Sequence, residues 1–252
     1  MKKAILVSTL ALLAAAILFA GGAPETDERP DRIVVATDAT WPPMEFLDEN
    51  REIVGFDIDL MNAIADAAGF EVEIRNTAWD GIFAGLATGE YDAVISSVTI
   101  TEERRQSMDF SEPYINAGQV LVVRVESTGV ETLDDLAGRT VGAQIGTTGA
   151  FAVQEFDDVE LATYDEIGLA FEDLVAGRIE GVVADTPVAA NYALQNEAYA
   201  DVLTIAGEPF TDEYYGIAVP QGRRALLEMI NEGLAQVQAD GTIDELTEKW
   251  LR

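Results

Sequence analysis

The chain has 252 residues, 46 of them acidic and 15 basic, and it contains no histidine and no cysteine. That length allows one large or two small domains, and the missing residue types exclude the usual zinc sites, histidine-dependent triads, thiol nucleophiles and disulfides. The formal charge of −31 repels nucleic acid and anionic lipid and attracts cations; because the acids are spread along the whole chain, adaptation to high salt is the favoured source of most of it.

Lys2 and Lys3 precede an apolar run from Ala4 to Phe19 and then small residues, the three-part pattern of an export signal over residues 1–23. A membrane-spanning helix would need about 20 apolar residues, so anchoring is the second reading. No cysteine is present to carry a lipid. An exported, soluble, periplasmic protein is expected, two charges more negative once Lys2 and Lys3 are gone, with Lys249 as its last remaining lysine.

Residues 24–31 form a polar, proline-flanked lead-in. Residues 33–37 read as a strand ending at Asp38, followed by a loop carrying Trp41 and Glu45 that Pro42 and Pro43 keep out of helix. Ile58, Met61, Ile64, Ala65 and Ala68 share one face of a helix stopped by Gly69. A strand over 70–75 leads to Trp79, a short helix ends at Gly89, and Ala93-Val94-Ile95 forms a buried strand that runs out into Ser96 and Ser97. Thr99 follows, then Thr101 as a helix cap, then Arg104. Hydroxyls, free N–H groups and a guanidinium within a few residues suit a planar carboxylate, although Arg104 as a surface arginine paired with Glu102 or Glu103 competes evenly.

This β-α-β-α-β series predicts a parallel sheet covered by helices, with its special residues just past strand C-termini, where open α/β sheets bind ligands. Trp41 and Trp79 lie in loops beside polar residues, so a pocket wall is preferred over core filling. A second series begins with a strand over 119–124 and continues with one over 139–143, which opens through Gln144 into Gly146-Thr147-Thr148-Gly149. That segment is either a carboxylate seat at a helix start or a tight turn with a threonine cap. Strands over 159–164 and 180–184 follow; the latter ends at Asp185, an apparent helix N-cap before Thr186-Pro187. A strand over 214–219 and two closing helices complete the chain. Two α/β halves joined by crossings near 115–119 and 209–214 make a bilobal, hinged molecule, with lobe 1 over 32–117 and 211–252 and lobe 2 over 118–210.

The stretches VGFDIDLMNAIADAAG, YDAVISSVTITEERR, MDFSEPYINAG, TVGAQIGTTG, ADTPVAANY, DEYYGIAV and DGTIDELTEKW resemble the extracytoplasmic polar amino-acid-binding proteins of ABC transporters, in order from about residue 32 to the end. The resemblance implies an α/β fold of two lobes, each a mainly parallel sheet flanked by helices, that closes by hinge motion on a free amino acid and presents it to a membrane permease. It implies no cofactor, no metal, a monomer and no enzymatic activity. In such a protein Arg104 would chelate the ligand's α-carboxylate with Thr99 and Thr147, and Asp185, assisted by Ser97, would accept its α-ammonium. Trp41 and Trp79 would sandwich the side chain, and Asp38 or Glu45 would face its far end. Gln144 and the segment QIGTTG look more like arginine binders than glutamine binders, so a cationic ligand is expected first and glutamine second. A cyclohexadienyl dehydratase on the same fold and a sensor module are the readings from other classes.

Overall fold

In the computed structural model residues 29–252 are described, so the expected export signal and most of the lead-in lie outside the described residues. Among the described residues no helix is long and apolar enough to cross a membrane. The first half of the chain contains β1 (Arg32–Thr37), β2 (Thr40–Trp41), β3 (Glu45–Leu47), β4 (Ile53–Val54), α1 (Phe56–Ala68), β5 (Glu71–Asn76), α2 (Ile82–Thr88), β6 (Ala93–Val94) and β7 (Met108–Phe110). β1 pairs in parallel with both β5 and β6, as the sequence pattern predicts. The small apolar residues of β6 are buried at the sheet's centre, whereas the charged β5 forms an edge.

A short strand, β8 (Ile115–Asn116), carries the chain out of this lobe, and β9 (Gln119–Arg124) enters the next. There follow β10 (Thr140–Gln144), α3 (Thr148–Gln154), β11 (Glu160–Tyr164), α4 (Ile167–Val175), β12 (Gly181–Asp185), α5 (Thr186–Ala190) and β13 (Leu203–Ala206). β10 lies parallel to β11 and β12, while β9 runs antiparallel between β12 and β13. The chain returns through β14 (Tyr214–Tyr215) and β15 (Ala218–Pro220), then closes with α6 (Arg224–Ala239) and α7 (Thr242–Trp250). β15 slots antiparallel between β6 and β7. Each sheet is therefore mainly parallel with one antiparallel strand supplied by a crossing.

The sequence pattern predicts one strand over 214–219, but the structure divides it at Gly216 and Ile217. The two pieces serve different partners: β14 pairs with β8 across the crossing, and β15 joins the first sheet. The crossings touch closely at Gly118, where a Cβ would stand 2.2 Å from the Thr211 carbonyl oxygen. The helix expected after Thr101 is a single 3-10 turn over Arg104–Gln106; the Thr101 hydroxyl does accept the Arg104 N–H at 3.1 Å.

The main apolar core packs α1 against α6 through Leu60, Met61, Ile64, Leu226, Ile230 and Leu234. Gly55 starts α1 at φ +136°, and a Cβ there would lie 2.2 Å from the Met44 carbonyl oxygen. Strain and overlap add, so Gly55→Ala is expected to lose roughly 3 kcal/mol of stability, read as a lower denaturant midpoint at unchanged slope. A midpoint within experimental scatter of the wild type would refute the close approach.

Candidate functional site

The C-terminal ends of β1, β6, β10 and β12 face one another across the gap between the sheets. A cavity lies there, lined by Asp38, Trp41, Glu45, Trp79, Ser96, Ser97, Thr99, Arg104, Gln144, Thr147, Thr148 and Asp185. All eleven residues singled out from the sequence line it, and Thr148 is added. The first lobe contributes eight and the second four, so the cavity belongs to the contact between lobes.

Hydrogen bonds span the gap. The Gln144 amide donates to Asp38 Oδ2 at 2.9 Å, Arg104 Nη2 donates to the Gly146 carbonyl at 3.4 Å, and the Thr99 and Thr148 hydroxyls meet at 3.3 Å. The hinge behind them is also knitted together: Ala117 N–H donates to the Glu213 carbonyl and Gln119 N–H to the Thr211 hydroxyl, both at 2.8 Å.

Arg104 enters the cavity half-buried, with Nη1 donating to the Thr99 carbonyl at 2.8 Å. Its guanidinium carbon lies 5.4 Å from the Trp79 ring centre and 5.0 Å from that of Phe83, cation–π distances that hold the group in place. Among the described residues Arg104 forms no salt bridge, so it pairs with neither Glu102 nor Glu103. Burial lowers its pKa to about 10, against the pull of Asp185 and Glu213, which leaves it cationic at neutral pH. A guanidinium has five N–H donors in a fixed plane, and two of its nitrogens reach carbonyl oxygens here, so donors remain for an anion.

Asp185 occupies the N-cap position of α5 but makes no capping bond. Its Oδ1 instead accepts from the Gln119 amide at 2.7 Å. Burial, and then repulsion from Glu213, raise its pKa to about 7, while Gln119 and Arg104 pull the other way. Thr147 is a true N-cap: its hydroxyl accepts the Ala150 N–H at 3.2 Å and donates to the Gln144 carbonyl at 2.8 Å. Thr148, the second threonine of the same Gly-Thr-Thr-Gly run, is the one whose hydroxyl faces across the gap, where it donates to Glu213 at 2.7 Å.

At the other end of the cavity Asp38 accepts from Thr40 and Gln144, each at 2.9 Å, and burial raises its pKa. Glu45 is fully buried and accepts from the Ser96 hydroxyl at 3.0 Å; burial and neighbouring Asp57 push it well up. Ser97 adopts φ +50°, an uncommon conformation for a residue with a side chain, and its N–H is held by Asp57 Oδ2 at 2.7 Å. Trp79 serves both wall and core: it lines the cavity and packs edge-on against Phe83. Asp57, Gln119 and Glu213 stand behind this wall, and local sequence pattern does not mark them: a first-turn acid, a strand-start glutamine and a loop glutamate carry no distinguishing signal.

A protein-family model for bacterial extracellular solute-binding proteins, family 3, matches residues 33–252. A probable histidine-binding protein of Neisseria gonorrhoeae is 38% identical, over 100% of this chain and 96% of its own length. ABC transporter arginine-binding protein 1 of Escherichia coli (strain K12) is 36% identical, over 100% and 99%. A solved ancestral arginine-binding protein bound to arginine is 42% identical with a TM-score of 0.83, covering 88% of this chain and 99% of its own. One bound to glutamine is 43% identical, with the same TM-score and coverage. With that family model spanning both sheets and the cavity between them, the chain belongs to the bacterial extracellular solute-binding proteins of family 3.

Proposed function

We propose that this protein captures a free amino acid with a cationic side chain, arginine foremost, between its lobes and delivers it outside the cytoplasm to the permease of an ABC importer. The observation that carries the ligand class is the charge content of the cavity: Arg104 is its one cation, against Asp38, Glu45 and Asp185. The α-carboxylate and α-ammonium of any amino acid neutralise Arg104 and Asp185 together. That leaves Asp38 and Glu45 without a counter-ion, and a positively charged side-chain end supplies one.

In this reading Arg104 grips the carboxylate with Thr99 and Thr147, and Asp185 receives the ammonium with Ser97 beside it. Trp41 and Trp79 stack on the side chain, which points toward Asp38, Glu45, Ser96 and Gln144. Bridging groups from both lobes, the ligand stabilises their contact, and the permease recognises the joined lobes. The protein acts by binding, as a monomer, and performs no reaction: the ligand's carboxylate meets Arg104, its ammonium meets Asp185 and its cationic end meets Asp38 and Glu45 together, and its relatives named above are transport binding proteins.

Glutamine is the second reading, favoured by one contact: the Gln144 amide already satisfies one oxygen of Asp38, so a neutral amide is acceptable there. Calorimetric titration with the twenty amino acids and ornithine tests both. Arginine, lysine or ornithine should bind at least roughly tenfold tighter than glutamine, a difference of about 1.4 kcal/mol, and aspartate and glutamate should fail. Binding of glutamine alone would overturn the cationic reading.

A further inference from the structure

Behind Glu45 lies a second carboxylate that never reaches the cavity wall. Asp57, in the first turn of α1, is fully buried, as is Glu45 on β3. Glu45 accepts from the Ser96 hydroxyl at 3.0 Å and the Ser97 hydroxyl at 3.4 Å. Asp57 Oδ2 accepts from the Ser97 N–H at 2.7 Å and the Tyr114 hydroxyl at 2.8 Å. Asp57 Oδ1 is buried and has no donor.

No cation offsets this pair. Among the described residues neither acid forms a salt bridge, and Arg104, elsewhere on the cavity, donates to the Thr99 and Gly146 carbonyls. The titratable groups that face the pair are Asp38 from the end of β1, Tyr114 from the segment before β8 and Tyr215 from β14. Burial and the two acids push both phenols well above their ordinary value, so neither supplies a charge of opposite sign. Two adjacent buried carboxylates cannot both ionise without a counter-charge. A proton on Glu45 resolves the repulsion and gives Asp57 Oδ1 the donor it lacks. The two pKa directions agree with that division: Glu45 is driven well up, whereas the donors on Asp57 limit its rise to about 6.

We propose that Glu45 and Asp57 share one proton until a ligand's cationic end faces Glu45, and that capture of such a ligand expels this proton, making Glu45 the residue that separates cationic from neutral amino acids. The inference rests on the cationic-ligand reading for its second half and on the buried pair alone for its first. On capture the Glu45 O–H bond breaks, the proton passes to water, and the pair goes from one negative charge to two beside the incoming positive charge. A neutral side chain leaves the proton where it is. Preference for arginine over glutamine therefore rises with pH, by up to tenfold per unit where a whole proton is released. Asp185 also titrates near neutrality, but it meets the α-ammonium of every amino acid, so its contribution does not discriminate.

The test compares wild type with Glu45→Gln, whose amide N–H can replace the acid's O–H toward Asp57 Oδ1. Arginine is titrated calorimetrically at one neutral pH in two buffers of different ionisation enthalpy, which counts protons released per ligand bound. Wild type should release about one proton more than Glu45→Gln, because only that term depends on the shared proton. The arginine-to-glutamine affinity ratio should fall at least tenfold in the variant. Infrared spectra of the ligand-free proteins in heavy water give a readout that needs no ligand: wild type should show a carboxylic-acid C=O stretch that Glu45→Gln lacks. Equal proton counts would overturn the expulsion, and identical infrared spectra would overturn the shared proton. If arginine fails to bind at all, the ligand reading falls while the infrared comparison still decides the pair. Should Glu45→Gln not fold, Glu45→Met removes the same carboxyl group with a side chain of similar length, and the same outcomes apply.

Discussion

Replacing Arg104 by alanine is expected to weaken binding of any amino-acid ligand by roughly 10²–10⁴-fold, a loss of about 3–5 kcal/mol. The cost arises from the partner left behind: an α-carboxylate carried into the cavity without its guanidinium is a buried charge with no counter-ion. Arg104→Lys should recover only part of the loss, because an ammonium cannot make two parallel bonds to a carboxylate and stacks less well over the Trp79 and Phe83 rings. Calorimetry on both variants, with melting curves to show that they fold, is the check. Near-normal affinity in Arg104→Ala would remove this residue from the carboxylate role and reopen the question of which lobe holds which end of the ligand.

That the guanidinium would face a cavity was only half legible in the sequence. Arg104 and Arg105 are adjacent and chemically identical, and local pattern allowed Arg104 to pair with Glu102 or Glu103. The choice is made by tertiary contacts: Thr99 is drawn against Tyr215 of the returning chain, and the Thr99 carbonyl then anchors Nη1. Elements with a strong period were readable, such as α6, whose Leu226, Met229, Ile230, Leu234 and Val237 lie on one buried face. The division of residues 214–219 into β14 and β15 was not, since a short continuous apolar run looks alike whether it pairs within a sheet or across a hinge. The cavity wall was readable because strand ends in α/β folds converge on one crevice. The layer behind it was not. Asp57 and Gln119 reach the site through partners 40 and 66 residues away, Ser97 and Asp185, a separation no local rule covers.

The ligand-free protein should be more stable at pH 5 than at pH 8, the reverse of what salt-bridged carboxylates give. Folding raises the Asp185 pKa from 3.8 to about 7, mainly by burial. The native state therefore holds a proton that the unfolded chain has released, and stability falls as pH rises from the unfolded value through the folded one. Between pH 5 and 8 that single group costs about 3 kcal/mol, or a fall in melting temperature of roughly 6–12 °C for a chain of this size. Asp57, raised to about 6, and Glu45, raised well above its ordinary value, add to the same slope. Asp185→Asn should flatten the decline and melt higher than wild type at pH 8, while losing its amino-acid ligand, because an amide cannot neutralise an ammonium. A bound amino acid should stabilise wild type more at pH 8 than at pH 5, since its ammonium favours the ionised form of Asp185. A melting temperature that is level or rising from pH 5 to pH 8, or an Asp185→Asn slope equal to the wild-type slope, would show that Asp185 is ionised in the empty cleft and that the α-ammonium meets a charge already paired.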